Sequence, residues 1–485
     1  VRIRLSDVIT GALFAAGGVA LVAEVRNFQR DARRQELLAE SVRGERPHRI
    51  VVVGCGFGGL AAINRLGDLV GGDPRFDVLI VDQHNYHLFY PLLYQVATGG
   101  VEPGVLAYPA RVIAREHHFR FLEAAVQAVD VLARRIVTDA GPVEYDSLIL
   151  APGSTVNFFG MRDAEENAMT LKSLADGIDL RNQIVECFEQ AARETDPGRR
   201  KALLTFTVVG GGATGVELAS SISDMIYGTL LKNYPMIDPS EPRLLLIEAQ
   251  GRLLSGWNPE MSDVAARHLR DDGIELRLNT AVAHVGPDGL SFGSGEAIAC
   301  ATVVWSAGVR AESLVGTVPG ETGRDGRVRV KETLDLPDYP GVFVIGDAAA
   351  VRLPNETRPL PPTAAIALAE GAQAGENAVR HLLNRPLRPF RYTSKGDLVS
   401  LGRGAAAADV FGRVFDGPVG WVLRRAVYLV NLVGFRNRLF VTLDWAFVTF
   451  HQRVIASFGA YHKPKILTRE FAPQAPSEQE PRKAA

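Results

Sequence analysis

The chain has 485 residues, 47% of them hydrophobic and 22% charged, and a formal net charge of −2 at pH 7. That length exceeds what one core usually organises and predicts two or three domains, while the even charge balance gives no global reason to expect a nucleic-acid partner. The three cysteines, Cys55, Cys187 and Cys300, are scattered with no C-x-x-C pair, which argues for a reducing compartment, for structural thiols and against a dithiol flavoprotein.

In chain order, residues 1–47 form an extension that differs in composition from the rest of the chain. Val8 to Ala23 is apolar or small apart from Thr10, and an arginine-rich stretch with Arg26, Arg30, Arg33 and Arg34 comes after it. The run is short against the roughly 20 residues of a membrane span. A span, a surface helix and a non-native upstream start all stay open; in the first case the positive flank keeps the body cytoplasmic.

A β-branched strand, Arg49 to Val53, then runs into Gly54-Cys55-Gly56-Phe57-Gly58-Gly59 and an Ala/Leu-rich helical pattern. Strand, glycine turn and helix together make a pyrophosphate site, because the glycines let backbone N–H groups approach phosphate at the positive end of a helix. The next strand ends on Asp82, placed to accept from ribose hydroxyls. About 150 residues later the plan repeats: Thr205 to Val209, then Gly210-Gly211-Gly212-Ala213-Thr214-Gly215, a helix, and a strand ending on Glu248. The duplication predicts two dinucleotides, a flavin and a nicotinamide. Glu248 favours NADH over NADPH, since a carboxylate repels a 2′-phosphate.

An apolar strand closing on a turn stands at Asp146 to Ser154 and another closing strand at Ala301 to Trp305, and a further buried strand, Val342 to Ile345, delivers Asp347 at its carboxyl end. Pro361-Pro362-Thr363 opens an Ala-rich helix whose N-terminus can face a flavin ring and stabilise negative charge there. From Gly420 to Arg453 aromatic and aliphatic residues alternate with arginines, and Asp444 is the only acid. That pattern suits helices lying in a lipid headgroup region, with a packed helix pair as the alternative. No His, Cys or carboxylate cluster has metal-ligand spacing, and His117-His118 is read as a solvated or strand-end pair.

The resulting expectation is an α/β chain with two Rossmann-like dinucleotide-binding domains, a two-dinucleotide-binding flavoprotein fold, plus a C-terminal amphipathic membrane-associating region. Its boundaries are an extension over 1–47, an FAD domain in two parts over 48–165 and 311–388, and an inserted NADH domain over 166–310. Residues 389–465 form the membrane-association region and 466–485 a disordered tail.

The chain resembles the type II NADH dehydrogenases, single-subunit NADH:quinone oxidoreductases that use FAD and pump no protons. The resemblance rests on the two loops, on Asn85 to Phe89 leading through Pro91-Leu92-Leu93-Tyr94-Gln95-Val96-Ala97-Thr98-Gly99, on Trp305-Ser306-Ala307-Gly308-Val309-Arg310 and on Gly346-Asp347-Ala348. It implies FAD held by Gly54, Gly56, Phe57, Gly58, Gly59, Asp82, Gly153, Asp347, Ala364 and Ala365. It implies NADH on Gly210, Gly212, Ala213, Thr214, Gly215, Glu248, Ala307 and Gly308, with Glu217, in the first turn of the second helix, near the nicotinamide and taking part in proton transfer. It also implies a quinone acceptor (menaquinone or ubiquinone), peripheral attachment to the cytoplasmic face of the cell membrane through residues 418–458, and a homodimer.

One stretch departs from the family pattern. The glutamines that line the family's quinone pocket become Ala365, Ala369 and Glu370 here, the first two in place of the quinone-facing amides, and these three are the expected quinone-site residues. Alanine has no donor for a quinone carbonyl, so an NADH oxidase or diaphorase with another acceptor stands as the alternative. A sulfide:quinone oxidoreductase would need paired redox cysteines at the flavin, and a nucleotide-sensing flavoprotein would turn over slowly.

Overall fold

Continuous runs of Val, Ile and Leu without alternation are what a strand buried on both faces requires, and the two such sets in this chain build two separate parallel sheets. The computed structural model describes residues 46–354 and 356–450 together with Arg453, Ile455 and Ala456. The apolar stretch Val8 to Ala23 and the tail from 466 lie outside the described residues.

The chain divides into two compact units. The first takes residues up to Leu88, Tyr108–Thr155 and Val309–Thr393. Its six-stranded sheet runs Asp335–Leu336, Tyr339–Val344, Ser147–Leu150, His48–Val53, Phe76–Asp82, Arg120–Glu123. All neighbours are parallel except the first pair. Val53 lies opposite both Val81 and Leu150, so three strands end level and present their carboxyl ends along one edge. The helix Phe57–Val70 comes directly after the first of these strands in the chain, and the helix Ala364–Leu382 packs along it. Small residues set that approach: a Cβ on Gly371 would lie 2.0 Å from the Gly58 carbonyl oxygen.

The second unit takes Phe89–Ala107, Val156–Gly308 and the chain from Ser394 onward. Its four-stranded parallel sheet runs Glu275–Arg277, Arg243–Ile247, Thr205–Val209, Thr302–Trp305, and Val209 lies opposite both Ile247 and Trp305. The helix Leu174–Ala191 opens with a capping box, in which Ser173 accepts from the Asp176 N–H and the Asp176 carboxylate accepts from the Ser173 N–H. An antiparallel set, Leu398–Ser400, Ala406–Val410 and Arg413–Phe415, leads into the helices Gly417–Asn431 and Phe435–Phe450. Among the described residues no helix is long and apolar enough to cross a membrane.

Candidate active site

In each unit the glycine loop is built by the same contacts. Gly54 N–H donates to the Val81 carbonyl at 2.8 Å, and Gly210 N–H donates to that of Ile247 at 2.8 Å. The first glycine has a left-handed backbone in both, φ +93° at Gly54 and +112° at Gly210, which a side chain would strain. The last glycine admits the chain's own return: a Cβ on Gly59 would sit 1.8 Å from the Gly54 oxygen, and one on Gly215 1.8 Å from the Gly210 oxygen. The middle glycines differ. A Cβ on Gly56 or on Gly212 would meet nothing within 4 Å. Each loop therefore leaves open space against the first turn of its helix, where a pyrophosphate fits.

The acids predicted to accept from ribose grip these loops. The Asp82 carboxylate accepts from Cys55 N–H at 2.6 Å and from His84 N–H at 2.7 Å. The Glu248 carboxylate accepts from Gly211 N–H at 2.6 Å and from Gln250 N–H at 2.8 Å. Each acid thus fixes the second residue of its own loop while standing beside the open space. Burial raises the Asp82 pKa, and the two N–H donors act against that rise.

The rest of the first unit's set converges on the carboxyl edge of its sheet. Asp347 lies just beyond the strand Tyr339–Val344, and Ser154 Oγ donates to its carboxylate at 2.5 Å. Gly153 (φ +82°) stands at the preceding turn with nothing within 4 Å of its Cβ position. Thr363 caps the helix Ala364–Leu382, accepting from Ile366 N–H at 3.4 Å; Ala365 is exposed on it and Ala364 and Ala369 are part-exposed. Glu370 behaves otherwise: it is 1% exposed and accepts from Gly346 N–H at 2.6 Å. Its carboxylate is committed to the turn that carries Asp347.

His87 is 1% exposed, and its Nδ1 lies 2.7 Å from the Cys55 carbonyl. A carbonyl only accepts, so Nδ1 carries the hydrogen and Nε2 is bare. The ring meets Phe57 edge-on at 5.3 Å. No motif pattern assigned His87 a role, although it lies within the Asn85 to Phe89 stretch on which the family resemblance rests.

In the second unit the closing turn is held by Ser306, whose Oγ donates to the Val209 carbonyl at 2.9 Å, and by Trp305, whose indole N–H donates to the Asn157 and Ala307 carbonyls at 3.0 and 3.1 Å. Gly308 (φ +77°) lies under the ring of Phe159, which is 65% exposed.

Glu217 corrects one expectation. It lies in the second turn, not the first, of the helix Ala213–Met225, 6% exposed. Its charge is met by side-chain and backbone donors rather than by the helix end: Glu217 Oε1 accepts from Arg424 Nη2 at 2.8 Å, Arg424 Nε at 3.2 Å and Ser400 N–H at 2.9 Å. Burial raises the Glu217 pKa, opposed by the Arg424 charge and the Ser400 N–H. Burial would lower that of Arg424, but the Glu217 charge and two tyrosines outweigh it and keep the guanidinium protonated. Tyr428 stacks on that guanidinium at 4.2 Å. The expectation that the arginines of this segment meet lipid therefore fails at Arg424, which is 3% exposed and turned inward. The sequence carries no local signal for this, because the partner that turns Arg424 inward, Glu217, lies 207 residues away.

All three cysteines are buried and free. Burial pushes the thiols of Cys55 and Cys187 up to about 12 and that of Cys300 up to about 11, which leaves them protonated and inert. No group of metal-ligand type occurs among the described residues.

Two parallel sheets, each with a glycine loop and an acid gripping it, define a flavoprotein with two dinucleotide sites, and residues 48–371 match the pyridine nucleotide-disulphide oxidoreductase family. The chain is 35% identical over 427 residues to the type II NADH:quinone oxidoreductase Ndh of Mycobacterium tuberculosis, covering 84% of this chain and 88% of that one. It is also 35% identical to NdhA of the same organism, over 82% and 86% of the two chains. Among solved structures, NDH2 from Plasmodium falciparum in complex with NADH superposes with a TM-score of 0.76 at 18% identity, over 85% of this chain and 100% of that one. The sulfide:quinone oxidoreductase of Aquifex aeolicus reaches 0.66 at 18% identity over 83% of this chain and 96% of that one, a likeness of fold. The chain belongs to the type II NADH:quinone oxidoreductase family.

Proposed function

We propose that this protein is an FAD-dependent oxidoreductase that takes hydride from NADH and passes two electrons to a quinone without pumping protons. The observation that carries the reading is the pair of loops, each with open space at its middle glycine and an acid on its second N–H. FAD, when bound, supplies the two-electron relay between the nicotinamide and the quinone.

The chain's own residues divide between the two dinucleotides. Gly54, Gly56, Phe57, Gly58 and Gly59 line the FAD pyrophosphate cradle, with Asp82 for the adenosine ribose and Gly153, Asp347, Ala364 and Ala365 for the remainder of the cofactor. Gly210, Gly212, Ala213, Thr214 and Gly215 take the NADH pyrophosphate, Glu248 its ribose, and Ala307 and Gly308 its nicotinamide half. Glu217 is the group proposed to handle protons. A carboxylate that exchanges a proton must have both forms within reach, and the burial of Glu217 against the Arg424 charge supplies opposed influences of that kind.

The quinone, menaquinone or ubiquinone, meets Ala365 and Ala369, where the loss of amide donors leaves apolar contact as the main source of affinity. Attachment to the cytoplasmic face of the membrane is part of the proposal, through residues 418–458. It is supported by the exposed Val419, Val422, Val430, Phe435, Leu439 and Phe447 on the last two described helices. A homodimer is proposed from the family alone.

Anaerobic stopped-flow of the FAD-loaded protein tests the function. The flavin absorbance should bleach on mixing with NADH and return on adding a menaquinone or ubiquinone analogue. Bleaching that quinone does not reverse, but oxygen or a dye does, would give the diaphorase reading instead.

A further inference from the structure

Glu370 stands out among the buried carboxylates of the first unit because, among the described residues, no basic side chain forms an ion pair with it. Asp335 has Lys331 at 2.9 Å, and Glu376 on the same helix has Arg65, Arg380 and Arg388. Glu370 accepts instead from a backbone group, the Gly346 N–H at 2.6 Å. The nearest charges oppose one another: Asp347, one residue beyond that donor, and Arg327, which is engaged with Asp325 and with the Leu360 carbonyl. The arginines of the Glu376 cluster answer a different carboxylate, further along the helix. On the other side of the turn Ser154 holds Asp347.

We propose that Glu370 is a positioning residue of the flavin site whose proton is linked to flavin retention, the ionised side chain setting beside Asp347 a second negative charge that the neutral one does not. This rests on the reading of Asp347 and the first glycine loop as the FAD site.

Two effects favour the neutral form, and they oppose the stronger hydrogen bond that a carboxylate accepts from Gly346 N–H. An ionised Glu370 adds a negative charge beside Asp347 where an anionic diphosphate cofactor is to bind. A bound cofactor also removes water from the turn, which penalises the charged form further. Burial, with Asp347 adding to it, already holds the Glu370 pKa up at about 8, against the pull of Gly346 N–H and Arg327. By reciprocity, a ligand that favours the protonated form is itself released as that proton is lost.

The test is equilibrium release of FAD from the full-length loaded protein on serial dilution, read by the fluorescence of freed FAD, from about pH 6 to about pH 9.5. Wild type should show a Kd that climbs across a window around pH 8, by up to about tenfold per pH unit for one linked proton. Glu370→Gln keeps an acceptor for Gly346 N–H and carries no titrating proton, so its Kd should be flat over that window. Glu370→Ala leaves the N–H without its acceptor and should bind FAD more weakly at every pH.

A role that is structural alone would weaken FAD in Glu370→Ala but leave wild type and Glu370→Gln with the same pH profile, and that result overturns the proposal. A flat wild-type profile overturns it too, whether or not the variants fold. A wild-type protein that takes up no FAD at any pH overturns the underlying reading of the site, and is distinguished from both by the missing flavin spectrum.

Discussion

Truncating Arg424 to alanine would leave Glu217, with 8% of its side chain exposed, without its counter-charge. Breaking a buried pair in this way costs about 3–5 kcal/mol, more than removing both charges together. Arg424→Ala should therefore unfold at clearly lower urea, and adding Glu217→Gln should restore part of the loss, a coupling that a double-mutant cycle measures. At Glu370 the pH dependence has a definite sign. Its pKa is raised from 4.5 to about 8 on folding, so the folded state binds the extra proton. Its contribution to stability is intact below about pH 4.5 and is lost as pH rises through about 8. Melting curves of Glu370→Gln against wild type should converge in acid, with the variant gaining ground in base. Glu248 serves two purposes, and its replacement separates them. Glu248→Gln should narrow the preference for NADH over NADPH by about tenfold, or 1.4 kcal/mol, in the ratio of kcat/KM values; an unchanged ratio would place cofactor discrimination elsewhere.

At the scale of elements, the helix Ala364–Leu382 shows why a glycine can matter inside a helix. Alanine in a helix interior normally gains about 1 kcal/mol over glycine. Here Gly371→Ala would put a Cβ 2.0 Å from the Gly58 carbonyl oxygen, and that oxygen belongs to backbone that cannot step aside. The substitution should lower both melting temperature and flavin content, against the sign of helix propensity, as measured by thermal denaturation and the flavin-to-protein absorbance ratio. Much of this architecture was legible in the sequence. Strand, loop and acid obey local rules: an apolar run, a left-handed glycine, a residue at a strand end. Hence both loops, Asp82, Glu248 and the strand before Asp347 could be read in advance. What could not be read was anything made by chain segments far apart. Glu217 meets Arg424 across 207 residues, His87 reaches back to the Cys55 carbonyl, and Glu370 turns to Gly346 rather than outward with Ala365 and Ala369. The amphipathic pattern of the C-terminal helices pointed to surface helices but not to Arg424 turning inward, nor to Arg425 packing on Trp421 and Trp445.

For the whole molecule, the three buried thiols offer a built-in probe of unfolding. Cys55 and Cys300 lie in different units. A thiol reagent added to the native protein should label none of the three until the unit around it opens, and the order of labelling in rising denaturant would show whether the two units unfold together. Equal, immediate labelling of all three would contradict the buried positions. The Glu217–Arg424 pair carries a consequence for how the protein is made. Glu217 leaves the ribosome 207 residues before its partner, an interval of about 10–40 s at ordinary elongation rates. Throughout that interval the nascent second unit holds a carboxylate that cannot be buried at its final cost. A chain released early, by a premature stop between the two positions, would keep that unmet charge and should be a ready substrate for proteolysis. Completion of synthesis is thus written into the fold as a condition for closing its core.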